Sequence, residues 1–408
     1  MTKTITIIGV NYYPEDTAIG LYTSQLAEFY KDQEIEVEVL TGFPYYPAWR
    51  ISKNYRLKKT FYKEIINDVT VYRYKQYVPK NPTFFKRILH LIDFSFGTFI
   101  NIFKVKNTDV VLCIVPFIGS VYLGKILSKI KKAKLWVHIQ DFEFDAVTDS
   151  KIVGAKSNKS FVFRILFWVE KKFLNSADII STISSLMILK LDKKVDLEKE
   201  RVLLPNWVDS NFIKPDNYKT HKYLTNTSFK ILYSGNIGEK QDWDFFIKLV
   251  EALKKYKDIE IVVVGNGSKR VWLEEKLLDF DNIMFYSPVE YLELSNLLCS
   301  ANLHVLFQKI DVIDTVMPSK ILAMMSSQRP SLITGNLKSE VASIINNSKS
   351  GKYFETKNIE EILEFILELK ENQTLCLEYG TNARKYVKEN FSKTKILNQF
   401  MDTFEKLI

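Results

Sequence analysis

Apolar and polar positions alternate along the chain in two kinds of run. Short unbroken apolar runs, such as TITIIGV (4–10) and DVVLCIV (109–115), are typical of buried strands, whereas the apolar residues of 117–132 recur at helical spacing. Strands that alternate with helices pair in parallel, so the pattern predicts an α/β protein with doubly wound sheets. Further strands of the first half are predicted at 36–42, 69–75, 134–141, 177–184 and 201–206.

The alternation lapses once, over 207–228, and then starts again. We interpret this stretch as a linker between two Rossmann-like domains, 1–206 and 229–390, that face each other across a cleft. A last helix within 391–408 could cross back to the first domain. Ligands of doubly wound sheets bind at the carboxyl ends of the strands, so the cleft is the expected active site. In the second half, strands are predicted at 229–235, 259–267, 283–289, 303–308 and 331–335.

The composition is that of a folded protein with room for two cores. The chain has 408 residues, of which 46% are hydrophobic and 26% charged. Its three cysteines and four histidines are scattered, which argues against a disulfide framework or a metal site and favours a reducing compartment. The N-terminal residues predict a strand rather than a signal peptide, and no stretch of about 18 apolar residues predicts a transmembrane helix. We therefore expect a cytoplasmic protein without a metal ion.

The net charge of +9 comes from one segment. Between Arg50 and Lys106 there are thirteen lysine or arginine residues and three acidic residues, which gives thirteen minus three, or +10. The segment is also rich in Tyr and Phe, so it suits the anionic surface of a membrane or a nucleic acid. A merely solvated basic face is the third interpretation. Because no nucleic-acid-binding module is recognisable, we expect no nucleic acid partner.

A glycine loop opens the second domain. In YSGNIGEKQ, Gly235 ends a strand, Asn236 to Gly238 form a tight turn, and Lys240 precedes a helix. Glycines let backbone N–H groups approach a phosphate, and a lysine neutralises its charge. The loop is not a P-loop, since the glycine followed by Lys-Ser/Thr is missing. An ordinary strand-to-helix turn would use the same residues.

Two further loops follow strands of the same predicted sheet. Gly265 lies in VVVGNGSKR (262–270), which could also be an ordinary strand-to-helix turn. Pro318, Ser319 and Lys320 lie in VMPSK, where proline and a small hydroxyl residue suit a helix N-terminus with its anion-binding N–H groups. Three such loops at one edge of a sheet indicate a diphosphate site.

Polar side chains also follow two strands of the first domain. Glu15 comes after the first strand, and His138 and Asp141 lie in HIQDFEFDA at the end of a later strand. Acids and histidines at strand ends are candidates for general acid–base catalysis. Asp141 could instead cap the next segment, and His138 could be a hydrogen-bonded residue of the sheet.

Several motifs, taken in order, resemble those of a known family. They are NYYPEDTAIG, TGFPYYPAWR, HIQDFEFDA, LPNWVD, YSGNIGEKQ, VVVGNGSKR and VMPSK. Through them nearly the whole chain resembles glycosyltransferase family 4 enzymes of the GT-B fold. It is most similar to bacterial capsule, O-antigen and colanic-acid enzymes that transfer fucose or N-acetylfucosamine. TGFPYYPAWR and MPSK are fairly specific to this subgroup.

The resemblance implies that the first domain binds the acceptor and that the second binds a nucleotide-sugar donor. It implies neither a metal ion nor a cofactor besides that donor. Gly20 would close over the phosphates from the first domain. The other expected donor-binding residues are Gly235, Asn236, Gly238 and Lys240 at the diphosphate, Gly265 and Val289 near the nucleoside, and Pro318, Ser319 and Lys320 at the phosphate or sugar.

Some positions depart from the family pattern. Most relatives carry an arginine where Asn236 stands, so another cation, such as Lys320, would have to meet part of the diphosphate charge. Many relatives also carry two glutamates eight positions apart, which contact the donor sugar and the ribose. Thr315 and Ala323 stand in their places, and neither can accept hydrogen bonds as a carboxylate does.

The family's His-Asp pair is shifted as well, to Gln140 and Asp141, with His138 two residues earlier. The resemblance implies a retaining transfer with an oxocarbenium-like transition state, in which positive groups stabilise the departing diphosphate. The acceptor hydroxyl would lose its proton to a donor phosphate oxygen, to Asp141 or to Glu15. Whether His138 or Asp141 touches the reacting centre stays open at this point.

The resemblance also predicts the substrates. The donor would be a UDP-sugar carrying N-acetylfucosamine or another deoxyhexose, and the acceptor a sugar on undecaprenyl diphosphate in capsule or O-antigen synthesis. Because such an acceptor lies in a membrane, the basic, aromatic segment 83–106 is expected on the anionic inner leaflet, with 161–173 as a second contact. The expected location is cytoplasmic and peripheral to the inner membrane.

Three other functions stay open. The missing carboxylates would suit a GT-B-fold binding or regulatory protein with weakened catalysis. A GDP-fucose-dependent transferase would differ in the base and sugar of the donor. A GT-B epimerase of UDP-sugars would be expected to carry catalytic carboxylates and a histidine in the second domain, and the sequence does not show such a set convincingly.

Overall fold

The fold is described from a computed structural model, which covers residues 2–15, 18–115, 118–142, 157–311, 319–355 and 358–408. Thr315 and Pro318 of the predicted site lie outside the described residues, and of Ser319 only the backbone is described. The chain forms two units. One comprises Met1–Pro205 with Leu397–Ile408, and the other comprises Asn206–Ile396.

The first unit is built on an eight-stranded sheet, with strands Thr4–Ile8 (β1), Glu36–Gly42 (β2), Phe61–Ile66 (β3), Val69–Tyr74 (β4), Val110–Val115 (β5), Lys134–Ile139 (β6), Ile179–Thr182 (β7) and Glu200–Leu203 (β8). Their order is β3-β4-β2-β1-β5-β6-β7-β8, and β3 is antiparallel to β4. Asn67 and Asp68 join these two strands with φ of 49° and 62°, as a two-residue hairpin turn requires. The sequence did not predict β3, because Lys63 and Glu64 obscure the alternation of this edge strand.

The helices of the first unit are Ala18–Asp32 (α1), Phe84–Asn101 (α2), Ile118–Lys131 (α3), Ser157–Leu174 (α4) and Ser185–Asp192 (α5). The chain leaves β1 toward β2 and later returns to β5 on the other side of β1, so its direction reverses between β1 and β5. Because parallel crossovers are right-handed, α1 and α3 cover opposite faces of the sheet.

The second unit has a six-stranded sheet in the order β11-β10-β9-β12-β13-β14, formed by Phe229–Ser234 (β9), Ile259–Val264 (β10), Ile283–Tyr286 (β11), Leu303–Phe307 (β12), Ser331–Thr334 (β13) and Gly351–Phe354 (β14). Its strands are parallel, and its direction reverses between β9 and β12. The prediction of an α/β protein with two doubly wound sheets is therefore confirmed. The remaining helices are Trp243–Leu253 (α6), Arg270–Lys276 (α7), Leu294–Cys299 (α8), Ser319–Ser326 (α9), Glu340–Ser348 (α10), Ile359–Glu371 (α11), Gln373–Asn390 (α12) and Lys393–Leu407 (α13).

Residues 207–228, which we interpreted as a linker, run irregularly over the second unit. Ile213 and Leu224 are buried there among apolar side chains of β9 and β10. The Arg384 guanidinium donates to the carbonyl oxygens of Ser210 and Ile213, at 3.1 Å each. The periodicity of this stretch lapses because single apolar side chains, rather than a regular element, anchor it.

The end of α13 completes the core of the first unit. Phe400 and Phe404 are buried, and the Phe404 ring centroid lies 5.5 Å from that of Tyr30. The Tyr30 hydroxyl donates to the Phe400 carbonyl oxygen over 3.1 Å. Across all the helices that can be described, none has the length and apolar character needed to cross a membrane.

Candidate active site

At the reversal point of the second sheet, hydrogen bonds join the loops that follow β9 and β12. The Lys309 N–H donates to the Lys240 carbonyl oxygen, and the Asp242 N–H donates to the Phe307 carbonyl oxygen, both over 3.1 Å. Reversal points of open α/β sheets form a crevice at the carboxyl ends of the strands, where ligands bind. The predicted glycine loop therefore lies where a ligand is expected.

Glycines allow close contact between the loop after β9, which contains Gly235, and the loop after β10, which contains Gly265. A Cβ atom on Gly265 would overlap the carbonyl oxygen of Gly235, so no larger residue fits there. The N–H groups of Gly235, Ile237 and Gly238 all donate within the protein, at 2.9, 2.9 and 3.0 Å. These three N–H groups already have acceptors, so a phosphate would fit against the surface of this loop without accepting hydrogen bonds from them.

Lys320 reaches this loop from α9. Its Nζ atom lies 3.4 Å from the point where a Cβ on Gly235 would stand, and 3.4 Å from the Tyr233 hydroxyl oxygen. Its Nζ is also 4.9 Å from the centroid of the Tyr233 ring, and the Tyr233 hydroxyl donates to the Asn236 carbonyl oxygen over 2.7 Å. Because α9 begins at Ser319, this ammonium group stands beside the positive end of a helix dipole. Two positive features thus meet above Gly235.

The other predicted donor residues are less closely grouped. Asn236 and Lys240 are exposed, and Val289 is half-buried in the segment after β11. Val289 packs against the apolar cluster that contains Val264 at the end of β10. The structure thus brings Gly235, Gly265 and Lys320 together and places Val289 on the β10 side of them.

Glu15, in the loop after β1, is buried and hydrogen-bonded. Its Oε1 accepts from the N–H groups of Tyr45 and Tyr46, at 2.7 and 2.8 Å, and its Oε2 accepts from Asn11 Nδ2 at 2.7 Å. Burial raises the pKa of Glu15, and these hydrogen bonds oppose the rise. A Cβ on Gly20 would lie 2.8 Å from that of Glu15, so the first turn of α1 closes directly on this side chain.

His138 is a buried residue of β6. Its Nδ1 lies 2.9 Å from Ser181 Oγ, and its Nε2 lies 2.9 Å from Nε2 of Gln140. Because Gln140 Nε2 is a donor, Nδ1 of His138 carries the proton in this arrangement. Burial lowers the pKa of His138 to about 3, so the ring is neutral near pH 7. Asp141 follows β6 and is half-buried, closer to solvent than His138.

Arg73 belongs to the basic segment that we expected at the surface, but it lies in the interior of the first unit. It is fully buried, pairs with Glu64, and donates to the carbonyl oxygens of Gly42 (3.0 Å) and Tyr13. It therefore ties the loop after β1 to the end of β2. The signal was present in the sequence, because Arg73 continues the inward alternation of Val69 and Val71.

The basic, aromatic segment forms a half-buried helix. Leu91 and Phe94 of α2 are buried, whereas its opposite face leaves large apolar side chains in solvent. Phe85 and Phe96 are 76% and 73% exposed, and Phe103, two residues beyond the end of the helix, is 63% exposed. The exposed set as a whole is Phe85, Leu89, Ile92, Phe96, Phe99, Ile100 and Phe103. Within 161–173, Trp168 is exposed, and the side chains of 161–163, 165 and 166 lie outside the description.

In the part of the chain that the structure describes, no three His, Cys, Asp or Glu side chains come close enough to one another to hold a metal ion. Glu143 and Asp145 of the HIQDFEFDA motif lie outside that part.

Several known proteins are similar to this chain. The family model described as glycosyl transferases group 1 matches residues 217–386. A protein of Escherichia coli (strain K12), named as a colanic acid biosynthesis glycosyl transferase, WcaI, is 30% identical over 412 residues and 98% of each chain. Sucrose-phosphate synthase from Thermosynechococcus elongatus has a TM-score of 0.73 at 14% identity over 99% of each chain. HepE of Anabaena in complex with UDP has a TM-score of 0.67 at 13% identity, over 99% of this chain and 100% of that one.

Proposed function

Because this chain belongs to the group 1 glycosyl transferases and has the GT-B fold of its structural neighbours, we propose that it is a retaining, metal-independent enzyme that uses a UDP-sugar. The sugar is N-acetylfucosamine or another deoxyhexose, and the acceptor is a sugar on undecaprenyl diphosphate. The product enters a capsule or O-antigen polysaccharide. The name of the E. coli relative supports the polysaccharide, and the UDP complex of HepE supports uridine.

The observation that carries this proposal is the position of Lys320 above Gly235. A retaining transfer breaks the bond between the anomeric carbon and the diphosphate, so negative charge grows on the leaving phosphate. Lys320 and the N-terminal N–H groups of α9 supply positive charge at one point, and the absent side chain of Gly235 leaves room for a phosphate. Lys240 and Asn236 extend the same donor site into solvent.

The three candidate catalytic residues receive different roles. In this proposal Asp141 lies next to the acceptor, and either Asp141 or a donor phosphate oxygen takes the proton of the attacking hydroxyl. His138 supports Gln140 and thereby the segment that carries Asp141, since its two ring nitrogens are hydrogen-bonded to Ser181 of β7 and to Gln140. Glu15 holds the loops after β1 and β2 together, since both its oxygens accept hydrogen bonds.

Membrane attachment is the part of the proposal that concerns the acceptor. The exposed aromatic and aliphatic face of α2 lies on an anionic leaflet, with lysines and arginines of the same segment at the headgroups. Wild-type protein should sediment with vesicles that contain phosphatidylglycerol, and Phe96→Ser should weaken that binding. Equal binding by both proteins would remove α2 from the contact.

A binding or regulatory protein is the second candidate. Ala323, one turn after Ser319-Lys320 on α9, stands where many relatives carry a glutamate, so one usual contact to the donor is missing. Such a protein would bind the nucleotide sugar and leave it intact. Release of UDP from the donor therefore separates the two candidates.

A thermal-shift panel of UDP, GDP and their sugars tests the donor. A ligand at about a hundred times its Kd adds about 2.7 kcal/mol to the stability of the folded state. UDP-sugars should raise the Tm of wild type, GDP-sugars should not, and Lys320→Ala should reduce the rise. Lys338→Ala, which removes an exposed lysine of the same unit, is the matched control. A rise with GDP-sugars alone would assign the enzyme to the GDP-fucose alternative.

A further inference from the structure

A cleft lies on the first unit between α3 and α4. It has a volume of about 650 Å³, which is within the usual range for ligand sites. Its lining is basic and partly aromatic, and consists of Lys125, Trp168, Lys171, Lys172, Asn175 and Ser176.

The charges of the cleft favour an anion. Lys171 is paired with Asp196 at 3.2 Å, so Lys125 and Lys172 supply the excess positive charge. The Lys172 ammonium lies 5.1 Å from the centroid of the Trp168 ring, which is 62% exposed. Lysine ammonium groups bind phosphate as point charges, and an exposed indole is typical of the zone between water and lipid.

The two remaining polar side chains add a donor and an acceptor. Asn175 Oδ1 accepts from the Asp196 N–H over 2.9 Å, so its amide NH₂ group is turned away from that bond and can donate. The Ser176 hydroxyl donates to the Phe173 carbonyl oxygen over 2.6 Å, which leaves its own oxygen as an acceptor. A ligand that combines phosphate oxygens with a hydroxyl group satisfies both.

The position of the cleft separates it from the site of sugar transfer. Asn175 and Ser176 lie between α4 and the start of β7, toward the edge of the sheet where strands begin. The ligand crevice of such a sheet lies at the opposite edge, where strands end. On the outer layer, α2 packs against α3 and α3 packs against α4, so a single helix, α3, separates the cleft from the helix with the exposed apolar face.

We propose that this cleft between α3 and α4 binds the glycerol phosphate headgroup of an anionic phospholipid. The proposal rests on the membrane attachment in the proposed function and adds a lipid-specific contact to it. The apolar face of α2 enters the acyl region, while Lys125 and Lys172 hold one phosphate and Trp168 lies at the interface. Attachment then depends on headgroup chemistry as well as on apolar area.

Vesicle sedimentation with matched variants tests this inference. The cleft variant replaces the three lysines of the cleft by glutamine: Lys125→Gln/Lys171→Gln/Lys172→Gln. The control variant replaces three exposed lysines of the second unit in the same way: Lys248→Gln/Lys385→Gln/Lys388→Gln. On phosphatidylcholine vesicles containing phosphatidylglycerol, the cleft variant should bind about tenfold more weakly than the control. On phosphatidylcholine alone, the two variants should bind alike. Equal losses on the anionic vesicles would overturn the inference.

Two further measurements identify the ligand and isolate the cleft from the donor site. Soluble glycerol phosphate should compete with anionic vesicles for wild type and should bind the cleft variant weakly or not at all. If glycerol phosphate binds the cleft while the cleft variant still binds vesicles like the control, the ligand is a free phosphate ester and the lipid assignment is wrong. The rise in Tm with UDP should be the same in all variants, so loss of that rise in wild type would count against the proposed function alone.

Discussion

The polar residues near the ends of the central strands differ between the two sheets in their exposure and in their hydrogen-bond partners. In the second unit, Lys320 lies above a glycine, and Asn236 and Lys240 are exposed to solvent. In the first unit, the Glu15 carboxylate is buried against the backbone N–H groups of a neighbouring loop. A polar residue at the end of a central strand can therefore face a ligand or hold a loop, and its hydrogen-bond partners decide which.

This difference has an experimental consequence. Changes in the second-unit loops should lower donor binding and leave the stability of the free protein nearly intact. Changes in the first-unit loops should lower stability and leave donor binding nearly intact. Each variant below is therefore measured for both properties.

Lys320→Ala should have the largest effect. Loss of its ammonium group at the departing diphosphate should slow sugar transfer by about 10²–10³-fold. The Tm of the ligand-free protein should change little, because Lys320 is only half-buried. Initial rates of UDP release and a thermal scan measure the two quantities, with Lys338→Ala as the control. A variant that transfers sugar at the wild-type rate would show that the second-unit loops do not act as described.

Glu15→Gln should have the next largest effect, on stability. Glutamine keeps one oxygen for Tyr45 and Tyr46 but turns an NH₂ group toward the Asn11 amide, so charge-assisted hydrogen bonds are lost. The free energy of unfolding should fall by about 2 kcal/mol in urea titrations. The UDP-induced rise in Tm should persist. The exposed Glu198→Gln is the control. A slower transfer rate at unchanged stability would instead assign Glu15 to catalysis.

Much of the fold could be predicted from the sequence because fully buried parallel strands are continuous apolar runs. Ile7 and Leu112, for example, are both inaccessible to solvent in the central strands β1 and β5. The edge strand β3 escaped prediction because Lys63 and Glu64 interrupt its apolar run, although the Glu64 carboxylate faces inward and pairs with the buried Arg73. The packing of 207–228 escaped it too, because two isolated side chains give no periodic signal.

The candidate site was predictable in position but not in detail. Glycines after apolar runs mark strand ends, so Gly235 and Gly265 could be placed at one edge of the sheet. The contact between Lys320 and Tyr233 joins residues far apart in sequence, and only the strand order brings them together. A sequence also does not show which polar side chains already have hydrogen-bond partners. For that reason His138 and Glu15 were catalytic candidates together with Asp141.

A third prediction concerns acid, and compares one buried histidine in each sheet. His138 Nδ1 and His304 Nε2 each lie 2.9 Å from a serine Oγ atom, and burial lowers the pKa of both histidines to about 3. The unfolded chain, with a histidine pKa of about 6.5, takes up these protons first. Stability is therefore complete above about pH 6.5 and falls as the pH falls toward 3. At pH 5 each histidine should lower the free energy of unfolding by about 2 kcal/mol.

Urea unfolding at pH 7 and pH 5 measures this loss. His138→Gln removes one titrating group and keeps a side chain that can hydrogen-bond to Ser181, so the loss of about 2 kcal/mol that His138 contributes should disappear. Sugar transfer by wild type should show no ionisation of His138 near neutral pH. An activity profile with a pKa near 6.5 that vanishes in His138→Gln would place that ring in the reaction instead.

Among the variants that are expected to lose stability, Gly235→Ala should lose the least, and it can show whether Lys320 and the loop act together. Alanine at a φ of +147° should lower the free energy of unfolding by about 1 kcal/mol, and its methyl group would stand 3.4 Å from Cδ and Nζ of Lys320. If the methyl group acts by displacing Lys320, the loss of UDP affinity in Gly235→Ala should vanish when Lys320 is already alanine. Isothermal titration of the two single variants and the double variant measures this coupling. Additive losses would mean that Gly235 acts through backbone strain alone, and the second-unit loop would then hold its own conformation much as the Glu15 loop does.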